Sequence, residues 1–392
     1  MTSKTIDKVS PRDFFKRASD VAGYYGFQPA ETALQKYGQR HVKLKNADRS
    51  AMAEKCLSPI SKLPEPIFLF YVNEHPRSSF EKGDDDQAEL NLEILGTGKS
   101  VAEAILLKTA LSIFEENGIP DVNVSINGIG DRDCLARFSR ELSFYYRRHV
   151  NDLPTSCRTQ FAKDVFRLLV CEHDRCRELR IDAPRPMNFL TEASRIHFRE
   201  VLEYLEGLGV PYRVSDSLVG PKDQYSKIVF EIRRRNADAA QELDDSSEVI
   251  EEPELLASGG RYDDLARRAA SRKEASGVGI SILFPRRALR RLTVKDTRRP
   301  AAYFVHIGFE AKLKSLLVLD LLRKAHIPVQ QALHHDQLAG QMGSAEKLGI
   351  PYLLIMGQKE ALEGTIIVRD METRAQETVP VGRLSAYLRT AV

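Results

Sequence analysis

Apolar and polar residues follow two different periods in the first part of the chain. Helical spacing of apolar positions predicts helices over 10–27 and 100–117, and each of these ranges is closed by a glycine. Short apolar or alternating runs predict strands over 66–72, 89–95 and 122–127. This region therefore mixes helices with strands.

The same mixture continues without the regular alternation of a parallel sheet. The range 130–190 is arginine-rich and is predicted to be mainly helical. A helix over 191–208, with a threonine N-cap, is followed by predicted strands at 210–214 and 228–232. The pattern predicts an α+β fold built on one sheet with flanking helices.

Beyond Pro300 strands and helices alternate, which predicts a separate α/β module. The predicted strands are 301–307, 327–333, 351–356 and 364–368, and the predicted helices are 311–325, 337–348 and 384–388. We therefore divide the chain into a first domain, 1–297, and a second domain, 298–392.

Composition narrows the class of protein. The 392 residues are 42% hydrophobic and 29% charged, with a net charge of +3, as in ordinary globular proteins. No apolar run approaches the roughly 20 residues of a membrane span, and the first residues lack a signal-peptide core. We expect a cytoplasmic protein that does not enter membranes.

Charge is distributed unevenly. The range 286–299 is rich in arginine and lysine, and it is either a surface for phosphate groups or a solvated helix face with a linker. The range 237–254 holds eight acidic residues and no basic one, which predicts an exposed loop.

The five cysteines are too few and too scattered for a disulfide framework. Cys171 and Cys176 have a spacing that metal ligands use, but no second cysteine or histidine pair follows at zinc-site distance. The sequence therefore predicts packed thiols and no metal site.

The most distinctive motif is Leu-Ala-Ser-Gly-Gly-Arg-Tyr-Asp over 256–263, followed by a strand of small residues over 276–282. It resembles the amino-acid pocket and third motif of histidyl-tRNA synthetases, which are class II aminoacyl-tRNA synthetases. The ranges 349–357, 364–370 and 377–380 resemble the anticodon-binding domain of that family. The resemblance implies an antiparallel sheet with flanking helices, a C-terminal α/β anticodon-binding-like domain, a homodimer, tRNA as a partner and, in an active enzyme, ATP and magnesium.

The resemblance assigns residues to a histidine pocket. Glu93 matches the glutamate that contacts the histidine ammonium, and Tyr262 matches the tyrosine beside the imidazole. Gly259 and Gly260 are expected to form a tight turn at the pocket. The remaining pocket candidates are Arg77, Tyr225 and, by a looser match, Asp48.

The ATP side departs from the family. Arg77 and Arg286 match its phosphate-binding and adenine-stacking arginines, but Gly220 stands where the arginine that assists adenylate formation is expected. If that lost charge is the defect, Gly220→Arg should raise residual adenylation. Three aspartates, Asp84, Asp85 and Asp86, replace arginines, and like charge would repel a triphosphate.

These residues fit more than one function. The first interpretation is a pseudoenzyme-like relative with weakened or lost aminoacylation that binds histidine or a related small molecule, or an RNA such as tRNA. The second is an active but divergent histidine–tRNA ligase. A third, a non-catalytic regulatory subunit resembling that of ATP phosphoribosyltransferase, is disfavoured by the module over 301–392. A pure protein scaffold is the fourth.

Overall fold

The computed structural model describes residues 11–36, 49–58, 66–73, 87–221, 223–235, 253–285, 299–331 and 337–391. Within these ranges the chain forms two sheets with helices packed against them. Most of the acidic range predicted as a loop and most of the basic cluster lie outside the described residues.

An eight-stranded sheet forms the first part of the fold, in the order β1-β2-β3-β8-β7-β6-β4-β5. Neighbouring strands are antiparallel except at the two edges, where β1 pairs with β2 and β4 with β5 in parallel. The strands are β1 Gln28–Pro29, β2 Ile67–Asn73, β3 Gln87–Leu95, β4 Val122–Gly130, β5 Tyr212–Val214, β6 Lys227–Arg234, β7 Leu255–Arg261 and β8 Gly277–Pro285.

Helices flank this sheet and fill the segment between β4 and β5. They are α1 Pro11–Tyr24, α2 Ala30–Lys36, α3 Arg49–Leu57, α4 Val101–Glu116, α5 Arg132–Arg148, α6 Thr155–Lys163, α7 Asp174–Ile181, α8 Glu192–Gly207 and α9 Asp263–Ala270. Short 3-10 turns cover Val150–Asp152, Val165–Leu168 and Pro186–Phe189. The predicted helical character of 130–190 is confirmed, and Thr191 caps α8 by accepting from the Ser194 amide.

A five-stranded sheet forms the second part, in the order β10-β9-β11-β12-β13. Its first three strands are parallel and the last two antiparallel, as the pairings show. The elements are β9 Ala302–His306, α10 Phe309–Lys324, β10 Val329–Gln331, α11 Leu338–Leu348, β11 Tyr352–Met356, α12 Gln358–Glu363, β12 Thr365–Asp370, β13 Gln376–Pro380, a 3-10 turn Val381–Arg383 and α13 Leu384–Ala391.

The predicted fold class is confirmed: a large antiparallel-rich sheet with flanking helices precedes a C-terminal α/β unit. The apolar core runs from α1 and α4 across the large sheet to α10, so residues of both sheets share one cluster. The boundary at 297/298 stays a prediction. Among the described helices, none is both long and apolar enough to span a bilayer.

The structure corrects the prediction of a tight turn at Gly259 and Gly260. Both lie inside β7, paired with β6 on one side and β8 on the other. A Cβ atom on Gly259 would lie 2.3 Å from the Gly279 carbonyl oxygen, and one on Gly260 would lie 2.5 Å from the Ile228 carbonyl oxygen. These glycines permit close backbone approach between strands rather than a turn.

Candidate functional site

The predicted pocket residues surround an arginine that was not among them. Arg49 is the first residue of α3 and is 5% exposed. Its Nε donates to Glu93 Oε1 at 3.1 Å, and its Nη1 donates to the Tyr225 hydroxyl at 3.0 Å. Its Nη2 donates to Ser281 Oγ at 2.9 Å. The guanidinium carbon also lies over the rings of Tyr225 and Tyr262, at 5.6 and 5.9 Å from their centroids.

Glu93 is the acceptor at the centre of this group. It lies in β3 and is fully buried. The Tyr262 hydroxyl donates to its Oε2 at 2.6 Å, and the Tyr71 hydroxyl reaches its Oε1 at 3.5 Å. Burial raises the pKa of Glu93 to about 7, against the lowering effect of Arg49 and the two phenols.

Strand register explains why these side chains meet. Asn91 and Glu93 are two apart in β3 and so share a face of the sheet. Their partners across the ladder are Ser281 and Gly279 in β8. Ser281 Oγ donates to Asn91 Oδ1 at 2.6 Å, which orients the hydroxyl that accepts from Arg49. Gly279 leaves room for the carboxylate, because a Cβ there would lie 1.7 Å from Glu93 Oε2.

In the Arg-Tyr-Asp sequence at the end of β7, Arg261 and Asp263 make structural contacts, and Tyr262 belongs to the pocket. Arg261 is fully buried and holds Glu103 of α4 with two bonds, at 2.6 and 2.7 Å. Against the effect of burial, Arg261 and then His197 lower the pKa of Glu103 to about 2. Asp263 accepts from the Gly277 amide at 3.2 Å. These contacts hold the backbone on both sides of Tyr262, so that its hydroxyl is placed to donate to Glu93.

Gly220 occupies a position that a larger residue does not fit. Its φ is +76°, and a Cβ would lie 2.6 Å from the Tyr225 ring. Gly220→Arg would therefore displace Tyr225 from its contact with Arg49, besides adding a charge. A change in adenylation activity in Gly220→Arg would therefore not show whether the missing arginine is the defect, because the substitution also disturbs Tyr225.

Of the predicted site residues, the structure brings together Glu93, Tyr225 and Tyr262, with Gly260 packed against the Tyr225 ring. Asp48, Arg77 and Arg286 lie outside the described residues, as do Asp84 to Asp86. Their assignments to histidine and ATP stay predictions.

Sequence reasoning missed four members of the group. Asn91 carried a signal, because a polar residue two positions from Glu93 interrupts an apolar strand. Ser281 and Tyr71 had none beyond their place in strands. Arg49 stands among other polar residues in the sequence. Nothing in the neighbouring sequence distinguishes it from an arginine that is exposed to solvent.

In the C-terminal unit a buried glutamine ties α11 to β9. Gln341 Oε1 accepts from the His306 amide at 3.0 Å, and its Nε2 donates to the His306 carbonyl at 2.8 Å. The side chain is fully buried. Gln341 therefore fixes the helix to the sheet and is not offered to a partner.

Sequence comparisons with known proteins agree with the resemblance. A sequence profile described as an anticodon binding domain matches residues 306–391. The histidine–tRNA ligase of Halothermothrix orenii is 30% identical over 329 residues, which cover 82% of this chain and 74% of that protein. The histidine–tRNA ligase of Bacillus velezensis is 27% identical over 334 residues, covering 83% and 75%. The structure of apo Staphylococcus aureus histidyl-tRNA synthetase aligns over 99% of this chain and 98% of its own, with a TM-score of 0.49 and 20% identity.

The fold and the matched domains define a class II aminoacyl-tRNA synthetase-like protein with a C-terminal anticodon-binding domain. Within that class, the extent and identity of the match to the Halothermothrix orenii protein place the chain in the histidyl-tRNA synthetase family.

Proposed function

We propose that this chain is a histidyl-tRNA synthetase relative in which histidine activation is weakened or lost because Arg49 occupies the amino-acid pocket. One observation carries the proposal. The Arg49 guanidinium donates to Glu93, Tyr225 and Ser281 at once, and two of these are residues that the resemblance assigns to histidine. tRNA binding through 306–391 and assembly as a homodimer belong to the same proposal, and they are supported by the family likeness alone.

Charge explains why an occupied pocket would resist histidine. The α-ammonium of an amino acid needs a carboxylate partner, and Glu93 is already paired with the guanidinium of Arg49. Two cations within a few ångströms repel strongly in a site that excludes water. Histidine can enter only if Arg49 leaves, and breaking a buried ion pair costs about 3–5 kcal/mol. The new ion pair between the histidine ammonium and Glu93 would offset part of that cost.

A second candidate is an active, divergent histidine–tRNA ligase that uses ATP and magnesium. The observation that favours it is the ordered arrangement of Glu93, Tyr225 and Tyr262. Arg49 would then hold the pocket residues in place until the histidine ammonium replaced its guanidinium on Glu93.

Histidine-dependent ATP–pyrophosphate exchange at high enzyme concentration separates the two candidates. For the wild-type chain we expect little or no exchange and weak histidine binding by calorimetry. Arg49→Ala should bind histidine at least about tenfold more tightly, because the pocket is vacated and Glu93 gains a new cation. Arg49→Lys, which keeps the charge but cannot make all three contacts, should fall between them.

Arg267→Ala is the matched control, since this arginine pairs with Asp264 on α9 and is part-exposed. It should leave histidine binding unchanged. Clear wild-type exchange would overturn the proposal and establish the ligase. Unchanged histidine affinity in a folded Arg49→Ala variant would show that Arg49 does not block the pocket. Filter binding of deacylated tRNA at several salt concentrations, and light scattering on the same samples, test the tRNA and dimer parts.

A further inference from the structure

Three cysteines converge between α5 and α7, far from the pocket in the chain. Cys157 lies in α6, Cys171 lies in the connection that follows, and Cys176 lies in the first turn of α7. Cys157 and Cys176 are fully buried, and Cys171 is 8% exposed. None of the three is part of a disulfide.

Their sulfur atoms have the spacing of a metal-binding cluster. Cys157 Sγ and Cys171 Sγ are 3.5 Å apart, and all three sulfurs lie within 4.8 Å of one another. A tetrahedral zinc ion with bonds of about 2.3 Å to sulfur places its sulfur ligands about 3.8 Å apart. The cluster therefore needs only small side-chain adjustments to surround one ion.

The surroundings favour thiolates once a cation is present. Cys157 and Cys176 are each the third residue of a helix, so the positive ends of α6 and α7 both point toward the cluster. The buried Tyr146 hydroxyl makes no hydrogen bond within the described ranges.

His173 stands at the open edge of the cluster. It lies between Cys171 and Cys176 in the chain and occupies the N-cap position of α7, where its side chain makes no capping hydrogen bond. Its Nε2 is 3.4 Å from Ser156 Oγ, and that hydroxyl is 3.8 Å from Cys157 Sγ. The group of ligand atoms within 4.8 Å of one another holds the three sulfurs only, so His173 would have to leave Ser156 and change its side-chain rotamer to become a ligand.

We propose that Cys157, Cys171 and Cys176 bind one Zn²⁺ as thiolates and that His173 Nε2 is the fourth ligand. Three cysteines and one histidine form a closed tetrahedral set, which is typical of structural rather than catalytic zinc. Each thiol gives its proton to solvent as its bond to zinc forms, and no oxidant or reductant is needed. The ion would join α6 and α7, two short helices that share a small apolar core with α5.

This proposal departs from the prediction of no metal site. That prediction looked for a second pair after Cys176, whereas the third thiol comes from Cys157, earlier in the chain. The intervening 3-10 turn Val165–Leu168 folds the chain back, and no sequence spacing rule captures that turn.

The direct test is metal content of the full chain, purified without a histidine tag under reducing conditions. We expect about one zinc per chain by elemental analysis and native mass spectrometry. Cobalt(II) reconstitution should give thiolate-to-cobalt charge-transfer absorption and the d–d bands of a tetrahedral site. A strong chelator should lower the melting temperature, and added zinc should restore it.

Variants assign the ligands. Cys157→Ser and Cys176→Ser should each lower zinc affinity at least about a hundredfold, and His173→Ala about tenfold or more. Cys134→Ser is the control, because Cys134 is equally buried in α5 but lies outside the cluster. It should retain full zinc content.

Several results would overturn the proposal. Wild-type protein that takes up neither zinc nor cobalt would do so without any variant. A disulfide between two of the three cysteines, counted by thiol titration of denatured protein, would mark a redox pair instead. Zinc that survives Cys157→Ser, or that is lost equally with Cys134→Ser, would place the metal elsewhere. Unchanged affinity in His173→Ala would remove His173 from the ligand set.

Discussion

Two fully buried glutamates, Glu93 in β3 and Glu103 in α4, show how the partners of a carboxyl group determine its pKa. Glu103 accepts hydrogen bonds from Nε and Nη2 of Arg261, and it contacts His197 Nε2 at 2.7 Å. Glu93 has one contact from Arg49 and otherwise only phenol donors. Arg261 and His197 lower the pKa of Glu103 to about 2 against the effect of burial, whereas burial raises that of Glu93 to about 7.

The difference predicts which glutamate makes stability depend on pH near neutrality. The pKa of Glu93 is higher in the folded chain than its ordinary value of 4.5, so its contribution is fully present below pH 4.5 and is lost as pH rises through about 7. The loss is on the order of 3 kcal/mol at 1.36 kcal/mol per pKa unit. Glu93→Gln should therefore flatten the fall in unfolding free energy between pH 5 and 8, measured by urea titration.

Glu103→Gln is the matched comparison. The pKa of Glu103 is depressed, so its contribution is present above pH 4.5 and is lost only as pH falls toward 2. This variant should be less stable at every pH from 5 to 8, since it leaves Arg261 buried without its main partner, but it should keep the wild-type slope. Equal slopes in wild type and Glu93→Gln would show that Glu93 does not titrate in this range.

At the scale of elements, the pocket depends on how closely β6, β7 and β8 approach. Gly259 in β7 meets the Gly279 carbonyl of β8 and the Phe230 ring of β6. Gly277 in β8 faces the Tyr262 ring, where a Cβ would lie 2.5 Å away. Small residues in these strands therefore determine where the aromatic side chains can lie.

Gly259→Ala tests this dependence. The added Cβ would lie 2.3 Å from the Gly279 carbonyl oxygen, so the strands must separate. We expect a loss of at least about 1–3 kcal/mol in unfolding free energy, as for overpacked cores. Gly343→Ala is the control, because Gly343 in α11 has nothing within 4 Å of its Cβ position. That change should stabilise by about 0.5–1 kcal/mol through helix propensity, and equal effects of the two would contradict the close-approach argument.

Periodicity predicted most elements, because helical and strand patterns follow directly from which face is buried. It missed the helices α2, α3, α9 and α12, the two-residue edge strand β1 and the strand β13. The glycine pair of β7 was misread because glycine pairs usually mark turns. Close approach of two backbones depends on a partner strand distant in the chain, and local sequence does not reveal it.

Only part of the site was predicted, for a similar reason. Tyr225 and Tyr262 lie within motifs, so resemblance located them. Arg49 reaches the pocket from the first position of α3, and its partners Glu93 and Ser281 are 44 and 232 residues away in the chain. Contacts of that separation follow from the assembled sheet and not from spacing along the chain.

At the scale of the whole molecule, α10 joins the second sheet to helices of the first. Asp320 accepts from the Tyr25 hydroxyl at 3.1 Å and lies 3.3 Å from Lys108 Nζ. Arg323, 3% exposed, donates to Asp320 at 3.0 Å and to Glu116 at 2.6 Å. These contacts surround apolar residues that belong to one core, so the two sheets should unfold together.

Asp320→Ala should weaken that coupling. It removes one partner of the Tyr25 hydroxyl, which keeps its contact with Ser112, and leaves Arg323 with its glutamate partners alone. The expected cost is on the order of 3 kcal/mol by comparison with broken buried ion pairs. Calorimetry of the wild-type chain should show one transition, and the variant should show a lower melting temperature with a broadened or divided transition. Glu203→Ala, which breaks the exposed pair with Arg199 within α8, should change stability by less than about 1 kcal/mol. If both variants melt as the wild type does, the polar contacts around Asp320 do not couple the sheets, and the shared apolar core alone joins them.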